Sequence, residues 1–231
     1  MSDDHDRHSD VYKMFMRSTG KSIHKWHHYF EYYQRFLSPY RNTKLTFLEI
    51  GVNRGGSLRM WSQFFGPQAR AVGIDVDPSC ASHAADGLEI RIGDQANPTF
   101  LRQLIAEYGR FDIVIDDGGH KSNQQITSFQ YLYDVCDKVY IVEDTHTSYW
   151  PGYQDRPDGQ TFISFAKARI DQLHEWHFQA RHFFHYGRPP SERGADPAVS
   201  AFCRTTKSIT FVDSMVIFEK GLNPPRHREL R

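Results

Sequence analysis

Short apolar runs alternate with longer amphipathic segments through the middle of the chain. The runs are rich in β-branched residues, and most of them end in acidic residues; they cover residues 45–51, 70–75, 88–94, 113–117 and 139–144. Runs of this length with polar ends are typical of strands buried on both faces of a parallel sheet. Helical patterns separate them, at residues 57–65, 98–108 and 121–133. This alternation predicts an α/β fold with a doubly wound, Rossmann-like sheet.

The C-terminal third predicts a different ending to the sheet. Residues 208–220 alternate as two strands about a tight turn, so we expect an antiparallel hairpin that completes a seven-stranded sheet. A helix is predicted from Thr161 to about Trp176. The segment Gly187–Pro197 is long for a simple connection, and we interpret it as a possible cover for an active site.

The N-terminal region is strongly aromatic. Residues 1–10 are charged and lack apolar anchors, which predicts disorder. Between Val11 and Leu37, the aromatic residues at 26, 29, 30, 33 and 36 follow helical spacing. Packing against one face of the sheet is the favoured interpretation, and a subunit contact or a substrate lid is the alternative. We therefore divide the chain into a tail and helical extension at 1–40, a main domain at 41–222 and a loose tail at 223–231.

Composition narrows the class of protein. The chain has 231 residues, enough for one substantial core, and its 28 basic residues balance 28 acidic ones, so bulk charge indicates neither nucleic acid nor a membrane surface as partner. The three cysteines are widely spaced, which favours reduced thiols. The polar, acidic start is not typical of a secretory signal, and no apolar run approaches the roughly 20 residues needed to span a bilayer. We expect a cytoplasmic protein.

Acidic residues follow two neighbouring predicted strands. Asp116, Asp117 and His120 come after one, and Glu143 and Asp144 come after the next. In open α/β sheets, ligands bind outside the carboxyl ends of the strands, where these side chains would meet. Carboxylates gathered at one edge repel each other unless a cation or a ligand compensates their charge. The pattern therefore predicts a binding site at this edge.

A glycine-rich turn follows the first predicted strand. Glu49 precedes Gly51, Gly55 and Gly56, and a helix begins near Ser57, so free backbone N–H groups should face a ligand there. Asp75 ends the next strand, 24 residues after Gly51. An acid at that place can accept hydrogen bonds from both ribose hydroxyls of a nucleoside.

Together these motifs resemble a known family. The ExGxxxGG turn, the acid after the second strand and the final hairpin resemble class I S-adenosylmethionine-dependent methyltransferases. The segments LEIGVNRGGSLRMW, GDQANPTFL, IDDGGH and VEDTHTSYWPGY further resemble the metal-dependent sugar O-methyltransferases of macrolide biosynthesis, of the mycinamicin and macrocin type. These segments also resemble the cephalosporin hydroxylase-like group, which binds S-adenosylmethionine as well. The resemblance extends from about Lys25 to Lys220.

The resemblance implies S-adenosylmethionine and Mg²⁺ as cofactors, a sugar hydroxyl as methyl acceptor, and a role for each matching residue. The cofactor-binding residues would be Glu49, Gly51, Gly55, Ser57, Asp75, Asp94 and Asp116. Asp117, Glu143 and Asp144 would bind the metal, and His120 would be the general base, so that His120 and Asp117 form the catalytic pair. The acceptor would lie against His146, Thr147, Tyr149 and Trp150. We expect a homo-oligomer with a small-molecule or saccharide acceptor, in natural-product biosynthesis.

Three other functions stay open at this point. A nicotinamide-dependent oxidoreductase would also use Asp75, but GVNRGG lacks the GxGxxG spacing and the acids after the fifth strand would have no role. A catechol-type O-methyltransferase would use the same metal chemistry on flat phenols. A non-catalytic or hydroxylase-like protein that binds S-adenosylmethionine would need no base at His120.

Overall fold

The computed structural model describes residues 9–178 and 198–225. The helices in these ranges are α1 (Asp10–Arg17), α2 (Tyr29–Leu37), α3 (Gly56–Phe65), α4 (Pro98–Tyr108), α5 (Ser122–Leu132), α6 (Phe162–Leu173) and α7 (Ala201–Thr205). The strands are β1 (Leu45–Ile50), β2 (Ala69–Asp75), β3 (Glu89–Ile92), β4 (Phe111–Asp116), β5 (Cys136–Val142), β6 (Thr206–Val212) and β7 (Met215–Lys220). Short 3₁₀ turns, including Thr145–Tyr149 and Pro151–Tyr153, connect several of them.

The strands form one seven-stranded sheet in the order β3-β2-β1-β4-β5-β7-β6. The first five strands are parallel, and β7 lies antiparallel between β5 and β6. The predicted sheet and its C-terminal hairpin are therefore confirmed. The order reverses direction between β1 and β4, and in open α/β sheets a crevice for ligands forms outside the strand ends at such a point.

Two apolar layers sandwich the sheet, because alternate residues of each buried strand point to opposite faces. On one face, Phe47 and Ile115 pack with Trp61 of α3 and with the aromatic residues of α2. On the other face, Leu48 and Val114 pack with residues of α4, α5 and α6. The strands have few exposed residues for this reason, as their nearly continuous apolar runs predict.

The N-terminal region differs from the prediction in two respects. Asp10 begins α1, and Ser9 caps it by accepting a hydrogen bond from the Tyr12 N–H, so the expected disorder does not extend to these two residues. The helical spacing was predicted from residue 26, but α2 begins only at Tyr29, so Trp26 lies before the helix. Its residues Tyr29, Phe30, Tyr33, Phe36 and Leu37 are buried, which confirms the interpretation that this helix packs on the sheet.

The predicted boundaries of two later helices can be compared with the structure. Both predicted ends of α4 are confirmed, and the Asn97 side chain accepts hydrogen bonds from the backbone N–H groups of Thr99 and Phe100 at its start. The helix predicted from Thr161 to about Trp176 ends at Leu173, and a 3₁₀ turn follows it.

The segment Gly187–Pro197 and the end of the C-terminal tail lie outside the described residues. Within the described ranges, no helix combines the length and apolar character that crossing a membrane requires.

Candidate functional site

The loops after the five parallel strands meet at one edge of the sheet and surround a cavity of about 350 Å³. They meet because Ile50 pairs with Asp116 and Asp116 pairs with Val142, so three adjacent strands end at the same level. The lining includes residues 51–54 and 56–57 of the glycine-rich turn, together with Asp75, Asp94, Asp117, His120 and Asp144. Residues 22–24 of the N-terminal region also line it.

Asp75 shapes the glycine-rich turn. One oxygen of its carboxylate accepts hydrogen bonds from the backbone N–H groups of Val52, at 2.9 Å, and Asn53, at 2.8 Å. The other oxygen accepts one from the N–H of Asp77 at 2.9 Å. A carboxylate has about four acceptor positions, so Asp75 retains capacity for a ligand in the cavity.

Gly51 lets the backbone of this turn approach the loop after β4. Its φ is +92°, and a Cβ at this position would lie 2.1 Å from the Asp117 carbonyl oxygen. A larger residue would therefore push the two loops apart, as well as strain the backbone. Gly51 thus holds the two walls of the cavity together, which is a structural reason for its place in the motif.

Asp116 was predicted to bind the cofactor, but the structure places it behind the cavity. Its side chain is fully buried, and it accepts hydrogen bonds from Gln95, at 2.9 Å, and from the hydroxyl of Ser128. Burial raises the pKa of Asp116, while these two donors act in the opposite direction. Asp116 therefore braces the loop that carries Asp117 to His120, and it does not line the cavity.

Asp117, His120 and Asp144 lie together on the cavity wall. Their nearest ligand-type atoms are all within 4.8 Å of one another, a spacing that a metal ion can bridge. His120 Nε2 lies 3.5 Å from one oxygen of Asp144 and 4.0 Å from one oxygen of Asp117. His120 and Asp144 both have left-handed backbones, with φ of +57° and +52°. Such conformations are uncommon outside glycine and are found preferentially at functional sites.

Lys25 contacts two of the site carboxylates, a role that the sequence patterns did not predict. Its ammonium lies 2.6 Å from Asp117 Oδ2 and 2.8 Å from Glu143 Oε2, with the lysine side chain only 1% exposed. Burial alone would lower the pKa of Lys25, but the negative charges of Asp117 and Glu143 outweigh it and the pKa is raised. The lysine therefore remains an ammonium ion, and it compensates the charge of two carboxylates that were both predicted to bind metal.

Glu143 lies beneath Asp117 and Asp144 rather than on the cavity wall. Its side chain is 1% exposed; Oε1 accepts a hydrogen bond from the Tyr33 hydroxyl at 2.6 Å, and Oε2 accepts one from Lys25. Burial raises the pKa of Glu143, whereas the charge of Lys25 acts against that rise and favours the ionised carboxylate. Of the three predicted metal ligands, the structure brings two to the cavity and buries the third among partners.

Asp144 receives its own partners from the N-terminal region. The indole N–H of Trp26 donates to its Oδ1 at 3.1 Å, and the Tyr29 hydroxyl lies 2.9 Å from the same oxygen. The Asp144 N–H donates to the Tyr29 oxygen at 3.1 Å. These contacts leave Oδ2 facing His120. The aromatic segment therefore orients a site carboxylate in addition to filling the core.

Glu49 lies under the glycine-rich turn and is fully buried. The Ser57 hydroxyl and the Trp61 indole face its carboxylate, yet neither oxygen forms a hydrogen bond of ordinary geometry with a described residue. Burial raises the pKa of Glu49 to about 8, and the Lys25 charge counteracts part of that rise. Of the other predicted cofactor-binding residues, Ser57 and Asp94 line the cavity, whereas Gly55 only adjoins it as the residue before α3.

The four predicted acceptor residues fall into two groups. Thr147 is buried, and its hydroxyl donates toward the carbonyl oxygens of His120, at 2.8 Å, and Asp144, at 2.9 Å; it therefore supports the loop and does not face an acceptor. His146, Tyr149 and Trp150 remain accessible; the His146 ring lies near Asp144, and Trp150 contacts His146. His146 is held by a hydrogen bond to the Ser214 hydroxyl in the β6–β7 turn.

The missed residues carried a partial signal in the sequence. Residues 24–33 read HKWHHYFEYY, and their aromatic spacing favours packing on the sheet, with a subunit contact or a substrate lid as the alternative. Lys25 is the one basic residue between the histidines of that stretch, but no local pattern connects it with acids roughly 90 to 120 positions further along the chain. Only tertiary structure brings them together.

The sheet order, the glycine-rich turn after β1 and the acid after β2 are those of the class I S-adenosylmethionine-dependent methyltransferases, and the chain belongs to this class. No protein-family profile matches it. Within the class, however, the chain is a homologue of the sugar O-methyltransferases of the mycinamicin and macrocin type, as the following similarities show.

Two curated relatives match most of the chain. An 8-demethyl-8-α-L-rhamnosyl tetracenomycin-C 2′-O-methyltransferase of Streptomyces olivaceus is 34% identical over 212 residues, which are 86% of this chain and 52% of the relative. Demethylmacrocin O-methyltransferase of Streptomyces fradiae is 32% identical over 216 residues, 86% of this chain and 51% of the relative. The chain thus spans about half the length of the curated relatives it matches.

A solved structure agrees with the sequence matches. The MycE methyltransferase of the mycinamycin biosynthetic pathway, in complex with Mg, SAH and mycinamycin VI, superposes with a TM-score of 0.72 at 29% identity. The match covers 94% of this chain and 55% of MycE. An O-methyltransferase from Bacillus cereus, at 14% identity and a TM-score of 0.51, shares the fold alone.

Proposed function

We propose that the chain is an O-methyltransferase that moves the methyl group of S-adenosylmethionine to a hydroxyl of a sugar with the help of Mg²⁺. The observation that carries the proposal is one continuous cavity. It joins the glycine-rich turn and Asp75 at one end to Asp117, His120 and Asp144 at the other. The named activities of the homologues and the Mg and SAH of the MycE structure support this assignment.

The residues present fit a hard divalent cation. Asp117 and Asp144 each offer an oxygen to the cavity, and Mg²⁺ prefers one or two protein carboxylates with the remaining positions left to water or substrate oxygens. The third member of the group, His120, has a nitrogen donor, which Mg²⁺ accepts less readily than oxygen. We therefore assign the metal to the two aspartates, with Glu143 beneath them, and leave His120 free.

The cavity also fits S-adenosylmethionine. The N–H groups at the start of α3, which no side chain caps, suit the carboxylate of the methionine end of the cofactor, and the buried Glu49 carboxyl group lies beneath them beside Ser57. Asp75 suits the ribose hydroxyls, and Asp94 at the far side suits the adenine amino group. Bound there, the cofactor supplies an activated methyl group, so positioning and proton removal are the main tasks left to the protein.

His120 is assigned the proton transfer. Its Nε2 faces the cavity between Asp117 and Asp144, within reach of a sugar hydroxyl held at that place. The hydrogen bond from Thr147 to the His120 carbonyl fixes the loop, and the left-handed backbone turns the ring toward the site. A Mg²⁺ ion held by Asp117 and Asp144 would make an acceptor hydroxyl easier to deprotonate.

Calorimetry and a transfer assay test the proposal together. We expect SAH to bind the purified protein with or without Mg²⁺, and radiolabelled methyl transfer to glycosides to require Mg²⁺. Transfer to catechols but not to glycosides would move the assignment to a catechol-type enzyme. If SAH does not bind at all, the cofactor assignment is wrong and the proposed function fails with it.

His120→Ala separates the base from a metal ligand. We expect it to lower kcat by roughly 10²- to 10⁴-fold, as loss of a general base does, while Mn²⁺ affinity measured by calorimetry stays within about twofold of wild type. His174→Ala is the matched control, since His174 lies near the end of α6 and outside the cavity. A large loss of Mn²⁺ affinity in His120→Ala would make His120 a ligand instead.

The organisation of the whole protein is a separate proposal. We propose that the chain acts as a homo-oligomer on a small-molecule or saccharide acceptor in the cytoplasm, and that residues 41–222 contain the methyltransferase domain. Residues 22–33 supply partners to the site carboxylates, so we assign this part of the N-terminal extension to the same functional unit. Sedimentation of the purified chain tests the oligomer directly.

A further inference from the structure

Half-exposed aromatic rings stand in a row beside the site. Trp26 and Trp150 are each 50% exposed and Tyr149 is 68% exposed. The His146 ring lies between the two tryptophans, at 6.1 Å from Trp26 and 4.7 Å from Trp150 between ring centres, and Tyr153 follows at 5.7 Å from Trp150. We call Trp26, His146, Trp150 and Tyr153 the aromatic row. Exposed aromatic surface that is gathered at one place, rather than scattered, commonly marks a binding site.

The rings are fixed in place although they are exposed. Trp26 donates its indole N–H to Asp144, and the Ser214 hydroxyl holds His146. His146 meets both tryptophans edge-on, at interplanar angles of 89° and 73°. Half of the Trp26 surface is in solvent, so its ring is accessible to a ligand while its indole N–H remains bonded to Asp144. The geometry is therefore that of a preformed surface for a ligand.

The position of Trp26 relative to Asp144 defines what the row can hold. One Asp144 oxygen contacts the Trp26 indole at 3.1 Å, and the other faces His120 at 3.5 Å. A pyranose ring has an apolar C–H face and a polar rim of hydroxyl groups. With its C–H face on an aromatic ring, its hydroxyl rim would extend past Asp144 toward His120, so a mixed apolar and polar ligand matches the site.

We propose that Trp26 is an acceptor-binding residue: with the aromatic row, it holds the sugar ring so that one hydroxyl points at His120. This rests on the proposed function and names the part of the acceptor that the site recognises. It also assigns a substrate contact to the N-terminal region, which lies outside the motifs at the strand ends. Trp26 thereby determines specificity for a ring with both a C–H face and hydroxyl groups.

Direct binding tests the proposal without methyl transfer. The probe is methyl α-L-rhamnopyranoside, titrated into protein with ¹⁵N-labelled indole groups in the presence of SAH and Mg²⁺. The Trp26 signal, assigned by its loss in Trp26→Phe, should shift and saturate, whereas the buried Trp61 signal should stay still. No shift of Trp26, or a shift caused by catechol and not by the glycoside, would overturn the proposal.

Kinetics then give the size of the effect. In Trp26→Ala, KM for a glycoside acceptor should rise about tenfold, or about 1.4 kcal/mol, while SAH affinity is unchanged. Trp26→Phe should recover most of the loss, because it keeps an aromatic face. Tyr131→Ala, at the far end of α5, is the control and should leave KM unaltered. A change of sedimentation in Trp26→Ala with unchanged sugar binding would assign the row to a subunit contact and overturn the proposal.

The two experiments separate this inference from the proposed function. If the sugar shifts Trp26 but no methyl group is transferred to any acceptor, the site binds sugars and the activity assignment fails. If transfer to glycosides proceeds with wild-type KM in Trp26→Ala, the activity stands and the role of Trp26 is wrong.

Discussion

Two regions of the chain build the carboxylate site in different ways. The loops after β4 and β5 contribute Asp117, His120, Glu143 and Asp144, all at the ends of core strands. The segment from residue 22 to residue 33 contributes no acids to this cluster, but it contributes their partners: Lys25, Trp26, Tyr29 and Tyr33. One region supplies negative charge, and the other supplies the positive charge and the hydrogen-bond donors.

The difference shows how an acidic site can be assembled in a folded protein. Carboxylates at the ends of adjacent strands repel one another, and burial makes the repulsion stronger. The Lys25 ammonium joins Asp117 to Glu143, and Tyr33 completes the partners of Glu143. The N-terminal region is therefore a working part of the site. Variants in each region should fail in different ways, which makes the comparison testable.

The largest effect is expected at the strand ends. Asp117→Asn keeps the size of the side chain and can still accept a hydrogen bond from Lys25, but it removes the charge that would bind a metal. We expect methyl transfer to fall by on the order of 10³-fold or more, with SAH affinity changed less than about threefold. Turnover close to wild type, and insensitive to EDTA, would remove the metal from the mechanism. Asp134→Asn, in the turn before β5 and thus at the opposite end of the strands, serves as control.

The next largest effect is expected in the N-terminal region, as a loss in the free energy of unfolding. Lys25→Met leaves the buried Glu143 and the cavity-lining Asp117 without their cation, and breaking a buried pair such as Lys25 with Glu143 typically costs about 3–5 kcal/mol. Urea unfolding in EDTA should show this loss. The double variant Lys25→Met/Glu143→Gln should recover much of it, because the neutral amide needs no cation. A Lys25→Met protein as stable as wild type would mean that Lys25 does not compensate the acids.

The smallest effect is a change in pH dependence. Burial raises the pKa of Glu49 to about 8 in the folded protein, from an ordinary value of 4.5. The folded state then holds this proton more tightly than the unfolded state does. The associated stability is complete below pH 4.5 and is lost as the pH rises through 8. In EDTA, the free energy of unfolding should fall between pH 5 and pH 8 by on the order of 2 kcal/mol less in Glu49→Gln than in wild type.

Glu107→Gln is the matched control for this pH profile. Glu107 is an exposed acid whose pKa is lowered by its hydrogen bond to Arg91, so its contribution lies below pH 4.5. Replacing it should therefore leave the slope between pH 5 and pH 8 unchanged. Equal slopes in wild type and Glu49→Gln would show that Glu49 is already ionised in the folded protein at neutral pH.

The sequence by itself determined most of the fold. Apolar runs closed by acids located the five parallel strands, since a strand buried on both faces must be apolar along its whole length. Asn97 and Pro98 located the start of α4, because capping is a local interaction between neighbouring residues. The same local logic placed Asp117, His120 and Asp144 at one edge of the sheet.

Tertiary structure alone decided which of these residues face the cavity and what compensates them. Asp116 and Asp117 are adjacent in sequence, yet Asp116 is buried behind the loop and Asp117 lines the cavity. The pairing of Lys25 with acids 92 and 118 positions away depends on α2 packing against the sheet. Sequence patterns record local geometry and burial. The packing of distant segments determines which charged group lies beside a buried charge, because only packing sets the distance between groups that are far apart in the sequence.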